Sequence, residues 1–380
     1  MANTLTNLAP DLYQALDVVS RELVGFIPAV TRDSGVERAA VGQVVRSFVA
    51  PASTASDITP AVTPPNDGDQ TIGNVSITIT KARRVPFRWA GEESKGVNNS
   101  GPGAASIRVN QIAQAMRTLT NEIETDLGGL HIAASRAYGT AGTTPFATNL
   151  GDPAQVRKIL SDNGAPLSDM QLVIDTSSGA ALRTLAQLTK VNEAGDMSML
   201  RQGVLLDIHN FAIRESGQVA QAVTVGTGAA YTTNTAGYAV GATAITVITG
   251  TGTVLAGDIL TFAGDTNKYV VGTALAAGVV TLAAPGLRKA IAASAVAMTV
   301  VAAATRNVAF ARTAIVLANR LPALPDGGDM AVDRMNIVDP HSGLTFEIAM
   351  YAQYRQMQYE ISAAWGVKNV KPEHTALLLG

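Results

Sequence analysis

Residues Val75–Trp89, VSITITKARRVPFRW, carry the most regular pattern in the sequence. Apolar side chains occupy odd positions, and the even positions between them include Ser76, Thr78, Thr80, Arg84 and Arg88. This is the period of a strand with one buried face. Lys81 and Arg83 interrupt the apolar face. A second strand is predicted over Val41–Val49, and the loop between the two, residues 51–73, is rich in Pro, Ser, Thr and Asp. Together these segments predict a long two-stranded arm.

Such an arm is typical of a protein whose fold is completed by assembly. An isolated hairpin is marginally stable in water, and its open edges invite pairing with other chains. An amphipathic helix predicted over residues 10–26 likewise lies ahead of any compact domain. The alternative, in which both elements pack on their own chain, stays open. On the assembly interpretation, the candidate intersubunit residues are Leu12, Leu16, Leu23, Phe48, Lys81, Arg83, Arg84, Arg88 and Trp89.

A long helix is predicted after the arm. Shorter helices follow over residues 152–161 and 177–188, with a strand at Met170–Ile174 between them, and two strands, Leu344–Tyr351 and Met357–Trp365, close the chain. This mixture predicts an α+β fold. The stripe of the long helix has helical spacing and consists of Ile112, Met116, Leu119, Ile123, Leu127 and Leu130.

The composition changes between Gly217 and Ala304. Short runs of Val, Ile and Thr alternate there with Gly, Asn and Asp, which predicts five or six short strands in a small barrel or sandwich. The patterns on either side differ, so we expect this block to be a domain inserted into a host fold. Its only charged residues are Asp258, Asp265, Lys268, Arg288 and Lys289.

The overall composition excludes several classes of protein. The chain has 380 residues, enough for two or three domains, and only 15% are charged, against roughly 25% in a typical soluble domain. A net charge of −2 argues against a dedicated nucleic-acid binder, and the lack of cysteine excludes disulfides and thiolate sites. The N-terminus shows no secretory signal. Tyr269–Leu287 is long enough to span a membrane, but its Gly, Thr and Val content indicates strands instead.

Motifs for catalysis or cofactor binding are missing from the sequence. The four histidines are scattered, and Gly250-Thr251-Gly252 lacks the third glycine and the βαβ context of a dinucleotide loop. Asp258 and Asp265 could hold calcium, but aspartate beside glycine is usually turn chemistry. The basic residues of the arm suit ion pairs better than phosphate binding. We therefore expect neither an enzyme nor a cofactor or metal.

Two local segments resemble a known family. Asn307–Ile315, NVAFARTAI, runs on to Arg320-Leu321-Pro322, and Ala364-Trp365-Gly366-Val367 is followed by Pro372-Glu373. With the order of elements, they resemble the major capsid (coat) proteins of tailed bacteriophages, specifically the short-tailed-phage coat family with an inserted β-barrel domain. Relatives often have His where Ala311 stands and Arg where Lys371 stands.

The resemblance implies a division of the chain into the parts of that fold. It implies an N-arm over residues 1–35, an extended hairpin (E-loop) over 36–97, and a peripheral domain over 98–150 whose spine helix spans 102–138. An axial domain would begin with residues 151–216. The inserted β-barrel would occupy 217–304, and residues 305–380 would supply closing strands of the axial and peripheral domains.

The resemblance also implies a structural function without catalysis. Hexamers and pentamers of the chain would form an icosahedral virion shell around double-stranded DNA, after assembly in the host cytoplasm. Implied partners are a scaffolding protein, a portal protein and decoration proteins, with weak nonspecific DNA contact and no membrane. Two alternatives stay open: a cellular nanocompartment shell that holds an enzyme cargo, and a secreted β-rich adhesin or glycan-binding protein.

Overall fold

The structure is a computed structural model of the chain. The predicted N-terminal stripe of Leu12, Leu16, Val19 and Leu23 lies outside the described residues. Those described are 24–49, 55–65, 68–100, 104–185, 188, 207–221, 223–339 and 342–380.

The helices and strands alternate irregularly along the chain, as expected for an α+β fold. The α-helices are α1 (Phe26–Ala29), α2 (Gly91–Ser100), α3 (Ala104–Gly128), α4 (Gly151–Asp162) and α5 (Thr176–Thr184). The strands before the insertion are β1 (Thr31–Ala39), β2 (Val44–Val49), β3 (Gly73–Thr78), β4 (Lys81–Ala90), β5 (Arg136–Tyr138), β6 (Met170–Ile174), β7 (Asp207–Ile208) and β8 (Phe211–Glu215). Those within it are β9 (Tyr231–Thr233), β10 (Ala244–Ile248), β11 (Ile259–Phe262), β12 (Lys268–Ala276), β13 (Val279–Leu282) and β14 (Ala297–Val300). Those after it are β15 (Arg306–Ala311), β16 (Ile315–Pro322), β17 (Ala331–Val338), β18 (Thr345–Gln353), β19 (Gln356–Asn369) and β20 (Thr375–Leu379).

A six-stranded sheet carries α3 on one face. Its strands follow the order β1-β16-β19-β18-β17, and β4 also pairs with β19. Five of the six residues of the predicted apolar stripe, Ile112, Met116, Leu119, Ile123 and Leu127, are buried in the core that includes Trp365. The sixth, Leu130, lies beyond the helix and is partly buried against the same core. Burial of this stripe holds the helix on the sheet.

The helix is shorter than the 102–138 that the resemblance implied. It ends at Gly128, and one 3₁₀ turn, Gly129–Ala133, leads into β5. A Cβ at Gly128 would lie 2.6 Å from the carbonyl oxygen of Gln218, so the close approach of that segment requires glycine here. Two adjacent glycines are also poor helix formers, which favours the end of the helix at this point.

A second sheet with the order β5-β20-β15-β6-β8-β7 carries α4 and α5. The strand predicted at Met170–Ile174 is confirmed and fully buried. The carboxylate of Asp175 caps α5 by accepting the N–H groups of Ser177 and Ser178 at 3.1 and 3.2 Å. The predicted helix over 177–188 begins at this cap and ends at Thr184.

The inserted block forms a closed antiparallel barrel. Its six strands pair in the cycle β11-β14-β9-β10-β13-β12, and β12 returns to β11. The barrel has its own core, which includes Ile245, Leu260 and Val280. Residues Tyr269–Leu287, considered above as a membrane span, contain most of β12 and all of β13. Among the described residues, no helix has the length and apolar character needed to cross a membrane.

The hairpin and the N-terminal segment differ from expectation in extent. Only β2 and β3 pair as a two-stranded sheet, whereas β4 leaves the arm and pairs with β19 over ten residue pairs. The segment that projects from the body therefore lies within residues 40–79. Residues 24–35, inside the predicted N-arm, contain α1 and part of β1, and Phe26 and Ile27 are completely buried.

Candidate assembly interface

The tip of the hairpin exposes large apolar side chains. β2 and β3 pair in register from Val44 with Thr78 to Val49 with Gly73. Between them, Ile58 is 97% exposed, Val62 is 104% exposed and Ile72 is 68% exposed. No basic residue occurs over residues 50–72, so the tip is acidic as well as apolar. Three large apolar side chains exposed within one segment of the chain indicate a candidate interaction surface.

The root of the hairpin is fixed to the six-stranded sheet. Ile77 and Ile79 are buried in a small core with Ala39, Ala318 and Ala364. A Cβ at Gly366 would lie 2.1 Å from the carbonyl oxygen of Thr78, so glycine permits the close crossing of β19 and the arm. The body therefore positions the tip without covering it.

The cations Lys81 and Arg83 lie between β4 and α3. Lys81 Nζ is 2.7 Å from Asp126 Oδ1 and 3.1 Å from Glu122 Oε1, and Arg83 Nε is 3.2 Å from that same Glu122 oxygen. Partial burial lowers the pKa of Lys81, but the hydrogen bonds to Asp126 and Glu122 outweigh it and the pKa is raised. These two residues interrupt the apolar pattern of the strand because they face carboxylates on the helix.

The remaining predicted residues of β4 lie on both faces of the sheet. Trp89 Nε1 donates to Gln111 Oε1 of α3 at 2.7 Å. On the other face, Arg84 NH1 is 2.6 Å from Glu360 Oε2, which holds the pKa of Arg84 above its ordinary value. Arg88 is exposed.

Four of the nine predicted intersubunit residues thus make contacts within the chain: Lys81, Arg83, Arg84 and Trp89. Phe48 lies in β2, opposite Asn74 in the backbone register. Leu12, Leu16 and Leu23 lie outside the described residues. A role between subunits stays a prediction for all nine.

A charged network on the face opposite α3 was missed by the sequence reasoning. Arg38 and Arg334 both contact the carboxylate of Glu347, and Arg334 NH2 is 2.5 Å from Asp329 Oδ1. The Tyr351 hydroxyl donates to Asp329 Oδ2 at 2.8 Å, and burial together with this bond raises the pKa of Tyr351 to about 12. The available signal was Glu347, the one charged residue of β18.

The two aspartates considered as calcium ligands accept hydrogen bonds from backbone N–H groups. Asp258 accepts the N–H groups of Gly226 and Leu255, and Asp265 accepts the N–H of Asn267. Across the described part of the chain, no three His, Asp or Glu side chains are grouped so as to hold a metal ion.

In comparisons with known proteins, the chain resembles solved structures alone. Neither a protein-family profile nor a curated protein sequence matches the chain. Solved structures that it resembles include Mycobacterium phage Che8, with 13% identity and a TM-score of 0.47 over 90% of this chain and 88% of that one. The capsid of cyanophage P-SCSP1u has 12% identity and a TM-score of 0.47 over 92% and 86% of the two chains. A virus-like particle from Pyrococcus furiosus has 11% identity and a TM-score of 0.44 over 97% and 98%.

The cyanophage structure is that of a capsid, and the Che8 structure comes from a phage. Because each TM-score is below 0.5, we draw the function of this chain from its own elements.

Proposed function

We propose that the chain is a major capsid protein that assembles into the icosahedral shell of a tailed phage and encloses its double-stranded DNA. The observation that carries this proposal is the hairpin, whose root is buried in the body while Ile58, Val62 and Ile72 at the tip are exposed. Burial of three such side chains by a neighbouring subunit would contribute several kcal/mol per contact, at about 1.5–3 kcal/mol for each fully buried side chain.

The rest of the architecture supports the same proposal. The parts that the segment resemblance implies include a long helix on a sheet, a projecting hairpin and an inserted β-barrel, and each has a counterpart among the described elements. Many modest contacts per subunit, in hexamers and pentamers, stabilise a closed shell through multivalency. A net charge of −2 suits weak, nonspecific contact with packaged DNA.

Partners and location follow from this proposal. A scaffolding protein and a portal protein would act during assembly in the host cytoplasm, and decoration proteins could bind the finished virion. The intersubunit role of the nine candidate residues belongs to the same proposal. Among them, Arg88 is exposed and has room for a partner on a neighbouring subunit.

The test is negative-stain microscopy of the protein expressed in a bacterial cytoplasm and sized on a gradient. The wild-type chain, with a scaffolding partner if it stays monomeric alone, should give closed shells or capsomers. A triple variant, Ile58→Ser, Val62→Ser and Ile72→Ser, should keep the wild-type melting temperature but fail to form shells. The matched control, Thr59→Ser, Thr63→Ser and Thr71→Ser, changes the same segment without removing large apolar groups and should assemble normally.

The outcomes separate the alternatives. Shells that purify with an enzyme cargo and without DNA would replace the phage proposal with a nanocompartment. Normal shells from the apolar triple variant would remove the hairpin tip from the assembly contacts. A wild-type chain that remains monomeric with every scaffolding partner would overturn the shell proposal and favour a binding module.

A further inference from the structure

Glu124, near the end of α3, binds two other segments of the chain. Its carboxylate is 1% exposed. Oε1 accepts the N–H of Ile27 at 2.9 Å, while Oε2 accepts the N–H of Phe26 at 3.0 Å and the hydroxyl of Ser216 at 3.1 Å. The first two bonds hold α1, and the third holds the segment that leads from β8 into the inserted barrel.

The three segments meet without spare room. A Cβ at Gly25 would lie 2.8 Å from the carbonyl oxygen of Glu215, and a Cβ at Gly128 would lie 2.6 Å from that of Gln218. The side chains of Phe26 and Ile27 are completely buried beside these two glycines. Water therefore reaches Glu124 only when this junction opens.

No counter-charge compensates the carboxylate. Residues 24–30 carry no charged side chain. Beside Ser216, Glu215 pairs with Arg183, and on α3 itself Glu122 and Asp126 pair with Lys81. Past the end of the helix, His131 Nδ1 bonds the carbonyl of Gly128, and Asp175, after β6, caps α5. Within the described part of the chain, no salt bridge reaches Glu124.

Burial therefore dominates the acid–base behaviour of this side chain. It raises the pKa of Glu124 from 4.5 to about 7, against the opposing effect of the hydrogen bonds from Ile27, Phe26 and Ser216. When the junction opens, water hydrates the carboxylate and its pKa returns toward 4.5. Between these two values the closed junction binds a proton that the open one releases, so opening becomes more favourable as pH rises.

We propose that Glu124 is a proton-linked latch, which closes the root of the N-terminal segment and the entrance to the barrel against α3 when it is protonated and loosens both when it ionises. One proton thereby couples two segments, at Phe26 and Ser216, that lie 98 residues before and 92 residues after Glu124 in the sequence. This property belongs to the single folded chain and holds whether or not the protein forms a shell.

The test is hydrogen exchange followed by mass spectrometry on the full-length, unassembled protein from pH 5 to pH 8, corrected for the intrinsic exchange rate. For a peptide covering residues 24–30, the opening constant should rise about tenfold per pH unit between pH 5 and pH 7 and level off above that. A peptide from β11 serves as a reference for opening of the barrel alone, which leaves Glu124 buried, and should show no such slope.

Two variants separate the latch from a general effect of pH. Glu124→Gln cannot ionise, so it should give a flat profile. Its single amide oxygen replaces two carboxylate oxygens that accept from Ile27 and Phe26 separately, so its opening constant should lie above the low-pH wild-type value. Glu122 lies on the same helix but is partly exposed and faces β4, so Glu122→Gln should keep the slope. A flat wild-type profile, or a slope that survives in Glu124→Gln, would overturn the proposal. The wild-type profile is decisive by itself if Glu124→Gln does not fold.

Discussion

Asp126 is the residue at which one helix and two strands are held together. Its Oδ1 lies 2.7 Å from Lys81 Nζ, and its Oδ2 accepts the indole N–H of Trp365 at 2.8 Å. Trp365 is completely buried, so removal of the acceptor leaves a donor with no access to water. We expect Asp126→Ala to lower the free energy of unfolding by about 1–3 kcal/mol, measured by denaturant titration.

Glu122→Ala is the matched control for that change. Glu122 also pairs with Lys81, but its side chain is 28% exposed and it holds no buried donor. Its loss should cost less than about 1 kcal/mol, as for an ion pair at the surface. Equal losses from the two variants would show that the buried indole bond contributes nothing beyond the ion pair.

The pattern of β4 shows how much of an element the sequence can predict. Period-two alternation over Val75–Trp89 identified which side chains share a face, and Ile77 and Ile79 are buried as expected. It could not show that the pairing partner changes from β2 to β19 after Thr80, because alternation records the face of a strand and not its neighbour. The role of Glu124 could not be predicted from the sequence either, because its hydrogen-bond donors are backbone amides 97 and 98 residues away in the chain.

The barrel is the element most independent of the rest of the chain. Its six strands close on themselves around a core of their own. We expect residues 217–304, expressed alone, to fold with a cooperative thermal transition in circular dichroism. A variant with Leu260→Asp in the same fragment should be unfolded, because it buries a charge in the middle of that core. An unstructured wild-type fragment would contradict the prediction.

The stability of the rest of the chain depends on the barrel more than the stability of the barrel depends on the rest of the chain. Ile259 and Val270 of the barrel are buried in the large core shared with α3, and Lys268 and Tyr269 pair with β5. The entry and exit of the insertion are adjacent, since the N–H of Arg306 donates to the carbonyl of Ala220 at 2.9 Å. A short linker could therefore replace the barrel without strain, yet the remaining chain should still lose stability because those contacts disappear.

At the scale of the whole molecule, residues 24–35 of the predicted N-arm belong to the body of the protein. The resemblance implied an arm over residues 1–35. A helix was predicted inside it over residues 10–26, but the sequence did not indicate that the residues after 23 enter the core. The structure places Phe26 and Ile27 in the core and pairs β1 with β16 from Thr31 onward. The pairs between β1 and β16 join residues that are nearly 300 positions apart in the sequence, so a local sequence pattern could not reveal them.

Two truncations therefore should have different effects. On the shell proposal, removal of residues 1–23 should leave a folded chain, because the buried side chains of Phe26 and Ile27 remain, but this chain should lose the ability to assemble. Removal of residues 1–35 also deletes the two large, completely buried side chains of Phe26 and Ile27 and half of β1. Each lost core side chain costs about 2–5 kcal/mol, which is comparable to the stability of a whole domain when the two are combined. The second variant should be unfolded or insoluble.

Thermal denaturation and negative-stain microscopy of the same two preparations separate folding from assembly. A folded but unassembled protein after removal of residues 1–23 would assign that stretch to contacts between subunits. Normal shells from it would confine the assembly contacts to the hairpin tip and the body. A stable protein after removal of residues 1–35 would contradict the packing of α1 and β1, and with it the closed junction at Glu124, because both depend on the same buried residues.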